Sequence, residues 1–342
     1  LMSHLGSSEE SAPNRMQDLL EKVQGINLLI DGHSHTVYEK GETVGETLVV
    51  STGSYSQSLG VVEYDGEKFS ASLFNSLKKS AQAEVDGALY SVLLTAKLDE
   101  EVNAEINAMA KAVSDELSKA FAKTEVLLNG ERDPGNRTEE TNLGDFAADA
   151  ILWAAQQALG DKVVAAVTNG GGIRASIQIG DITMNDMKTV FPFGNEVSVL
   201  DVTGAELLEA LEAATHSTPK AIGAFPQVAG IVFTVDTTKA YENGEQYPDS
   251  TYYKPLNPGS RVTIESVGGQ PFALDAIYTI ATNDFTAAGG DTYYAFRYPN
   301  ATSGYKTGVA LEDALVNYTT TVLGGVVGEQ YAQPQGRITV VK

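Results

Sequence analysis

"KVVAAVTNGGGIRASI", residues 162–177, is a β-rich apolar run broken by Asn169 and three glycines, with Arg174 directly after them. Glycines let main-chain N–H groups approach a ligand closely, and the guanidinium of Arg174 is a planar fork of donors matched to phosphate or carboxylate oxygens. A Gly-rich turn followed by a surface arginine accounts for the same letters with no ligand at all, and such turns are common. Outward from this run the pattern is regular. "VSVLDV", "GIVFTVD", "RVTIESV" and "AIYTIAT" are further strand candidates, interleaved with helices whose starts are marked. Thr203 with Glu206 is a capping-box pattern ahead of "AELLEALEAA", and Thr183 with Asp186 is a looser form of it. Residues 236–260, rich in Tyr, Asn, Pro and Gly, read as irregular. Residues 124–342 are therefore expected to form a mixed α/β domain.

Upstream, residues 98–122 are free of Gly and Pro and carry Val102, Ile106, Met109 and Val113 at helical spacing, which predicts a connecting helix inside a linker spanning 81–123. Residues 1–80 alternate strand and helix signals: a strand end at Leu1–Met2, a helical "MQDLLEKV", the apolar "INLLI", then "TLVVSTG". A hairpin through "LGVVEYDGEKFSASLF" is expected to turn at Asp65-Gly66. This reads as the last part of an α/β layer closing in antiparallel strands.

Composition bounds the function. The chain has 342 residues, a formal charge of −22 and a pI near 4.5, which argues against binding a nucleic-acid polymer through its phosphates. An anionic ligand must be drawn in by a local cationic site. No apolar run approaches the roughly 20 residues that cross a bilayer, so no membrane insertion is expected. There is no cysteine, which leaves oxygen and imidazole as metal ligands. The opening "LMSHLGSSEE" has neither an initiator Met at position 1 nor a signal-type apolar core, and reads as a chain entered in mid-domain.

Three of the four histidines, His4, His33 and His35, fall in the first 35 residues, each after an apolar stretch. Side chains two apart on an extended backbone point the same way, so His33 and His35 in "LLIDGHSHT" are expected to converge, with Gly32 allowing a sharp turn at the strand end. Neutral imidazole suits Zn, Mn or Fe, with carboxylates from elsewhere completing the shell. A solvated His-x-His loop and a strand-end His4 are the bland alternative.

Beyond spacing, "SHLG" followed by "GINLLIDGHSHT" resembles the last two metal motifs of the calcineurin-like metallophosphoesterase domain in the 5′-nucleotidase and UDP-sugar hydrolase family. "RTEETNLGDFAADA", "TNGGGIR", "VFPFGNEV" and "NDFTAAGGDTYY" are similar, in this order, to that family's C-terminal substrate domain. The resemblance implies the end of a metallophosphoesterase α/β sandwich, a linker helix and a whole 5′-nucleotidase C-terminal domain. It also implies a metal-dependent enzyme, exported from the cytoplasm, that hydrolyses nucleoside 5′-monophosphates to nucleoside and phosphate. A 2′,3′-cyclic phosphodiesterase/3′-nucleotidase or a UDP-sugar hydrolase resembles the chain at the same motifs, and a non-catalytic nucleotide-binding module is the reading from another class.

The resemblance places His4 and His33 on one ion and His35 on the other of two divalent ions. The family's upstream metal motifs, including the one with the catalytic His, do not occur in these 342 residues, so no catalytic residue is assigned and the chain is expected to be a piece of the enzyme. Arg137, Asn169, Gly171 and Arg174 match positions that contact the phosphate-ribose portion, although an arginine beside Glu139 and Glu140 more often makes surface ion pairs. Phe193 and Phe285 match a clamp around the base; taken alone, a Phe is more often core. Asp291 matches an acceptor for ribose hydroxyls. Tyr293 and Tyr294, beside Thr292, are expected at the rim of that site. His216 is expected to meet the carbonyls that end its helix.

Overall fold

Val163–Asn169 forms a strand that feeds two cores at once: Ala166 joins a cluster with the helices Asn142–Leu159 and Leu311–Thr321, whereas Ala165 and Val167 join one with the helix Gly204–Ala214. A strand covered on both faces must be apolar at successive positions, which is why the run has no polar alternation. In the computed structural model, which describes residues 1–8, 11–75, 99–248, 250–297 and 304–342, the chain divides into two units, Leu1–Asn107 and Ala108–Lys342.

In the second unit Val163–Asn169 sits inside a five-stranded sheet, in the order Pro226–Ala229, Val163–Asn169, Ile277–Asn283, Glu196–Thr203 and Tyr305–Ala310. Val163–Asn169 and Ile277–Asn283 are parallel and the other neighbours antiparallel, so the sheet is mixed, as expected. Both capping boxes form. Thr203 N donates to Glu206 Oε2 at 2.8 Å and Thr183 N to Asp186 Oδ2 at 2.8 Å, while each threonine hydroxyl accepts from the third residue of its helix.

The register decides where the loops emerge. Asn169 and Asn283 end the two parallel strands; Pro226 lies opposite Asn169 and Val197 opposite Asn283. Loops 170–174, 193–195, 221–225 and 284–291 therefore gather at one end of the sheet, beyond the carboxyl ends of its parallel strands, where open α/β sheets hold ligands.

Two expectations for this part of the chain need correction. Residues 236–260 contain a paired hairpin, Asn243–Gln246 with Tyr253–Pro255, tethered by the buried Tyr247, whose hydroxyl donates to Glu209 Oε1 at 2.9 Å. The predicted helix over 98–122 runs only from Glu100 to Leu117. Ala120–Thr124 is a strand paired with Gly180–Thr183 and Val326–Val327, because distant partners override local helical preference. The stripe Val102, Ile106, Met109 and Val113 is more than half exposed. Residues 81–98 of the predicted linker lie outside the described residues.

In the first unit Leu28–Ile30 pairs in parallel with Thr47–Val50, which pairs antiparallel with Glu42–Val44, over a small core of Met16, Leu29 and Val49. The helix at "MQDLLEKV" is limited to Met16–Leu20. The hairpin Ser58–Tyr64 with Phe69–Asn75 turns where expected: Asp65 Oδ1 accepts from Glu67 N and Lys68 N at 2.8 and 2.9 Å, and Gly66 takes φ 103°.

Candidate functional site

The seven candidate residues of the second unit, Arg137, Asn169, Gly171, Arg174, Phe193, Phe285 and Asp291, lie at the loop end of the sheet. Asn169, the last residue of its strand, donates from Nδ2 to Asp291 Oδ2 at 3.0 Å. Arg174 donates from Nη1 to the Gly171 carbonyl at 3.3 Å and lays its guanidinium over the Phe193 ring, 5.6 Å from the centroid. Arg137 joins through Gly223: a Cβ built there would lie 3.8 Å from Asp291 Oδ2, 3.9 Å from Arg137 Nη1 and 3.9 Å from the Gly171 Cα. The surface ion pair considered for the Arg137 neighbourhood does not hold for Glu140, which is buried and accepts from the backbone N–H of Arg337 and Ile338.

Phe193 and Phe285 are 60% and 43% exposed, so neither is a core residue. Glu196 N donates to Asp284 Oδ1 at 3.2 Å, which ties the loop after Phe193 to the short helix Asp284–Ala287 that carries Phe285. Gly290 lies against Phe285. A Cβ at Gly290 would sit 2.6, 2.6 and 2.7 Å from three adjacent ring atoms, near-equal distances that put it over the ring face rather than beyond the edge. One face of each ring is thus already covered, by Arg174 on one and by Gly290 on the other.

The glycines of "NGGGIR" act differently from the expectation. Gly170 N donates to the Phe225 carbonyl and Gly171 N to the Gly223 carbonyl, both at 2.7 Å, so these N–H groups are used within the fold and not offered to an anion. What the missing side chains provide is close approach: a Cβ at Gly170 would lie 1.8 Å from the Asn136 carbonyl oxygen. Tyr293 is also corrected. It is fully buried with its hydroxyl on the Ala224 carbonyl at 2.7 Å, a core residue rather than a rim residue, while Tyr294 stacks on Tyr247 at 4.7 Å. His216 does meet a helix-ending carbonyl, Nδ1 donating to Ala213 at 2.9 Å, and burial lowers its pKa.

Three further residues at this end of the sheet carry little signal in the sequence. Asn283 is buried and hydrogen-bonds Asn169; its only local signal is an Asn directly ahead of "DFTAAGGD". Gly223 has no local signal. Tyr252 lies close enough to Asp291 for that carboxylate, after burial, to raise its pKa.

In the first unit the ring centroids of His4 and His33 are 5.2 Å apart with their planes at 72°, an edge-to-face contact. The extended-backbone argument for His33 and His35 fails, since both have left-handed φ, 69° and 56°, and His35 lies against Tyr55 at 5.9 Å. Gly32 matters by proximity and not as a turn: a Cβ there would be 2.9 Å from His4 Nδ1. Asp31 holds the histidine loops together, accepting from Ser3 Oγ and from the N–H groups of Leu5 and Gly6 at 2.7–2.9 Å. Among the described residues no group of three or more His, Asp or Glu is placed to hold a metal ion, so these residues do not by themselves fit a two-metal centre. Of the five non-glycine residues with left-handed φ among the described residues, three are His33, His35 and Asp291, residue types that enter this region more readily than most.

Residues 120–298 match the family described as "5′-nucleotidase, C-terminal domain". The chain belongs to that family. This 5′-nucleotidase C-terminal domain chain is 36% identical over 303 residues to the trifunctional nucleotide phosphoesterase protein YfkN of Bacillus subtilis (strain 168), covering 86% of the chain and 18% of that protein. It is 32% identical over 279 residues to a 5′-nucleotidase of Vibrio cholerae, covering 79% of the chain and 45% of the relative. The crystal structure of a 5′-nucleotidase precursor from Thermus thermophilus superposes with a TM-score of 0.64 at 26% identity, over 94% of this chain and 60% of that one. The chain thus spans less than half the length of the two curated relatives. No helix among the described residues is long and apolar enough to cross a membrane.

Proposed function

We propose that the loop end of the five-stranded sheet binds the nucleoside part of a nucleotide, and that the whole protein hydrolyses nucleoside 5′-monophosphates to nucleoside and phosphate. The observation that carries this is the gathering of Asn169, Arg174, Phe193, Phe285 and Asp291 at one end of the sheet, with both aromatic rings exposed. Phe193 and Phe285 stack on the base, Asp291 accepts from ribose hydroxyls, and Arg137 with Arg174 attracts the phosphate into an otherwise acidic molecule. The domain limits follow the same reading: 1–80 metallophosphoesterase, 81–123 linker, 124–342 substrate domain. Phe193→Ala and Phe285→Ala are each expected to weaken adenosine binding roughly 5- to 150-fold and to leave ribose 5-phosphate binding almost unchanged. Titration calorimetry with both ligands, beside melting temperatures, checks this. Equal losses for both ligands with a large fall in melting temperature would return the two rings to a packing role.

The identity to a relative named a trifunctional nucleotide phosphoesterase favours, as a second reading, a substrate range that includes cyclic or 3′-nucleotides. Phosphate release from a panel of nucleotides by the whole protein separates the two. Residues 1–342 alone are expected to bind nucleosides yet release no phosphate from AMP at a useful rate with Zn or Mn added, since His4, His33 and His35 cannot satisfy two ions of about four ligands each. Robust metal-dependent release would contradict this. Metal dependence and export of the whole protein belong to the same proposal, and cell fractionation tests the latter.

A further inference from the structure

We infer that Asn283 is a positioning residue that sets the direction of the Asn169 amide and, through it, the Asp291 carboxylate; this rests on the reading of Asp291 as the ribose acceptor. Asn283 is fully buried at the end of its strand and caps the helix Asp284–Ala287, its Oδ1 accepting from Thr286 N at 2.9 Å. A backbone N–H can only donate, so the oxygen of Asn283 must face the helix and its amide nitrogen must face away. That nitrogen donates to Asn169 Oδ1 at 3.0 Å and to Thr168 Oγ1 at 3.2 Å.

The oxygen of Asn169 is thereby engaged, and its Nδ2 is the atom left to meet Asp291 Oδ2 at 3.0 Å. Donor-to-acceptor polarity runs without a break from the Thr286 N–H through two buried amides to the carboxylate. Asp291 itself sits at φ 51°, a conformation uncommon outside glycine, and the hydrogen bond from Asn169 helps to hold its carboxylate there. Reversing either amide would bring two acceptors together at one of the contacts.

The substitution Asn283→Asp keeps size and cap, since Asp caps a helix as well as Asn does, and removes the donor that orients Asn169. Asn169 is then expected to turn its nitrogen toward position 283 and its oxygen toward Asp291, which repels the carboxylate. Asn283→Ser also retains a capping oxygen, is too short to reach Asn169, and buries no charge, so it decides the matter if the Asp variant is too unstable.

The readout is the ratio of dissociation constants for 2′,3′-dideoxyadenosine and adenosine, measured by calorimetry on the full chain with melting curves alongside. Wild type is expected to favour adenosine by about 10-fold or more, the size of a hydrogen bond to a charged acceptor. In both Asn283 variants the ratio is expected to fall toward one while dideoxyadenosine binding changes less than about 2-fold, because base stacking is retained. Asp291→Asn separates the two levels of the argument. If it leaves the ratio unchanged, Asp291 is not the ribose acceptor and the inference falls with that reading. If it collapses the ratio and neither Asn283 variant does, the relay alone is overturned.

Discussion

Gly170→Ala is expected to destabilise the second unit by about 3 kcal/mol, the upper part of the range for forcing a methyl into filled space. The reason lies in what the new Cβ would meet: the Asn136 carbonyl oxygen at 1.8 Å and the Phe225 carbonyl oxygen at 3.1 Å, both backbone atoms that no side-chain rotation can move. Gly170 N also donates to that Phe225 carbonyl, so backing the turn away breaks a buried hydrogen bond. At about 2–4 °C per kcal/mol for a unit of this size, the melting temperature should fall by roughly 6–12 °C. Gly172→Ala is the control within the same turn. Its Cβ would meet only the Asn169 side chain, with the oxygen at 3.2 Å, so it should melt within a few degrees of wild type while disturbing Asn169. Similar melting temperatures for the two variants would mean that the turn is not held by close approach at Gly170.

The second large effect is a pH dependence centred on Asp145. This residue is wholly buried in the first turn of the helix Asn142–Leu159, and burial, followed by the adjacent Glu140, pushes its pKa up to about 8. Its Oδ2 accepts from Gln335 N at 2.9 Å; its Oδ1 has no hydrogen-bond donor, with Arg337 Nη1 at 3.6 Å. An oxygen buried with no donor favours the protonated, neutral form of the acid. Between the unfolded value near 3.8 and the raised folded value the native state binds more protons than the unfolded chain, so stability must fall as pH rises through that window. Each unit of displacement is worth about 1.4 kcal/mol, so the total is on the order of a few kcal/mol once the compensating Arg337 is allowed for. Asp145→Asn keeps the size of the side chain and removes the carboxyl that titrates. It is expected to melt close to wild type near pH 5 and clearly above it near pH 8, the gap widening with pH. A gap that does not change with pH would place the ionised form of Asp145 in the folded protein.

What could be read from the letters alone were features whose cause is local. The capping boxes at Thr183 and Thr203, the Asp65-Gly66 turn and the strand Val163–Asn169 each depend on residues within a few positions of one another. The candidate site residues of the second unit were legible only through the order of their motifs, since taken alone the same letters favoured a surface arginine and two core phenylalanines. Tertiary structure decided the rest. Asn169 meets Asn283 across 114 residues and Asp291 across 122, so the amide relay has no periodic trace in sequence. The glycines of "NGGGIR" looked like anion donors because their crowding partners, Asn136, Gly223 and Phe225, lie elsewhere in the chain. The histidine pair reads as extended, whereas both His33 and His35 take left-handed φ in a loop beside Asp31, which fastens the residues around His4. Sequence reports the hydrogen bonds and apolar faces a segment can satisfy by itself; which distant backbone closes on a glycine, and which way a buried amide points, depends on partners that only the folded chain brings within reach.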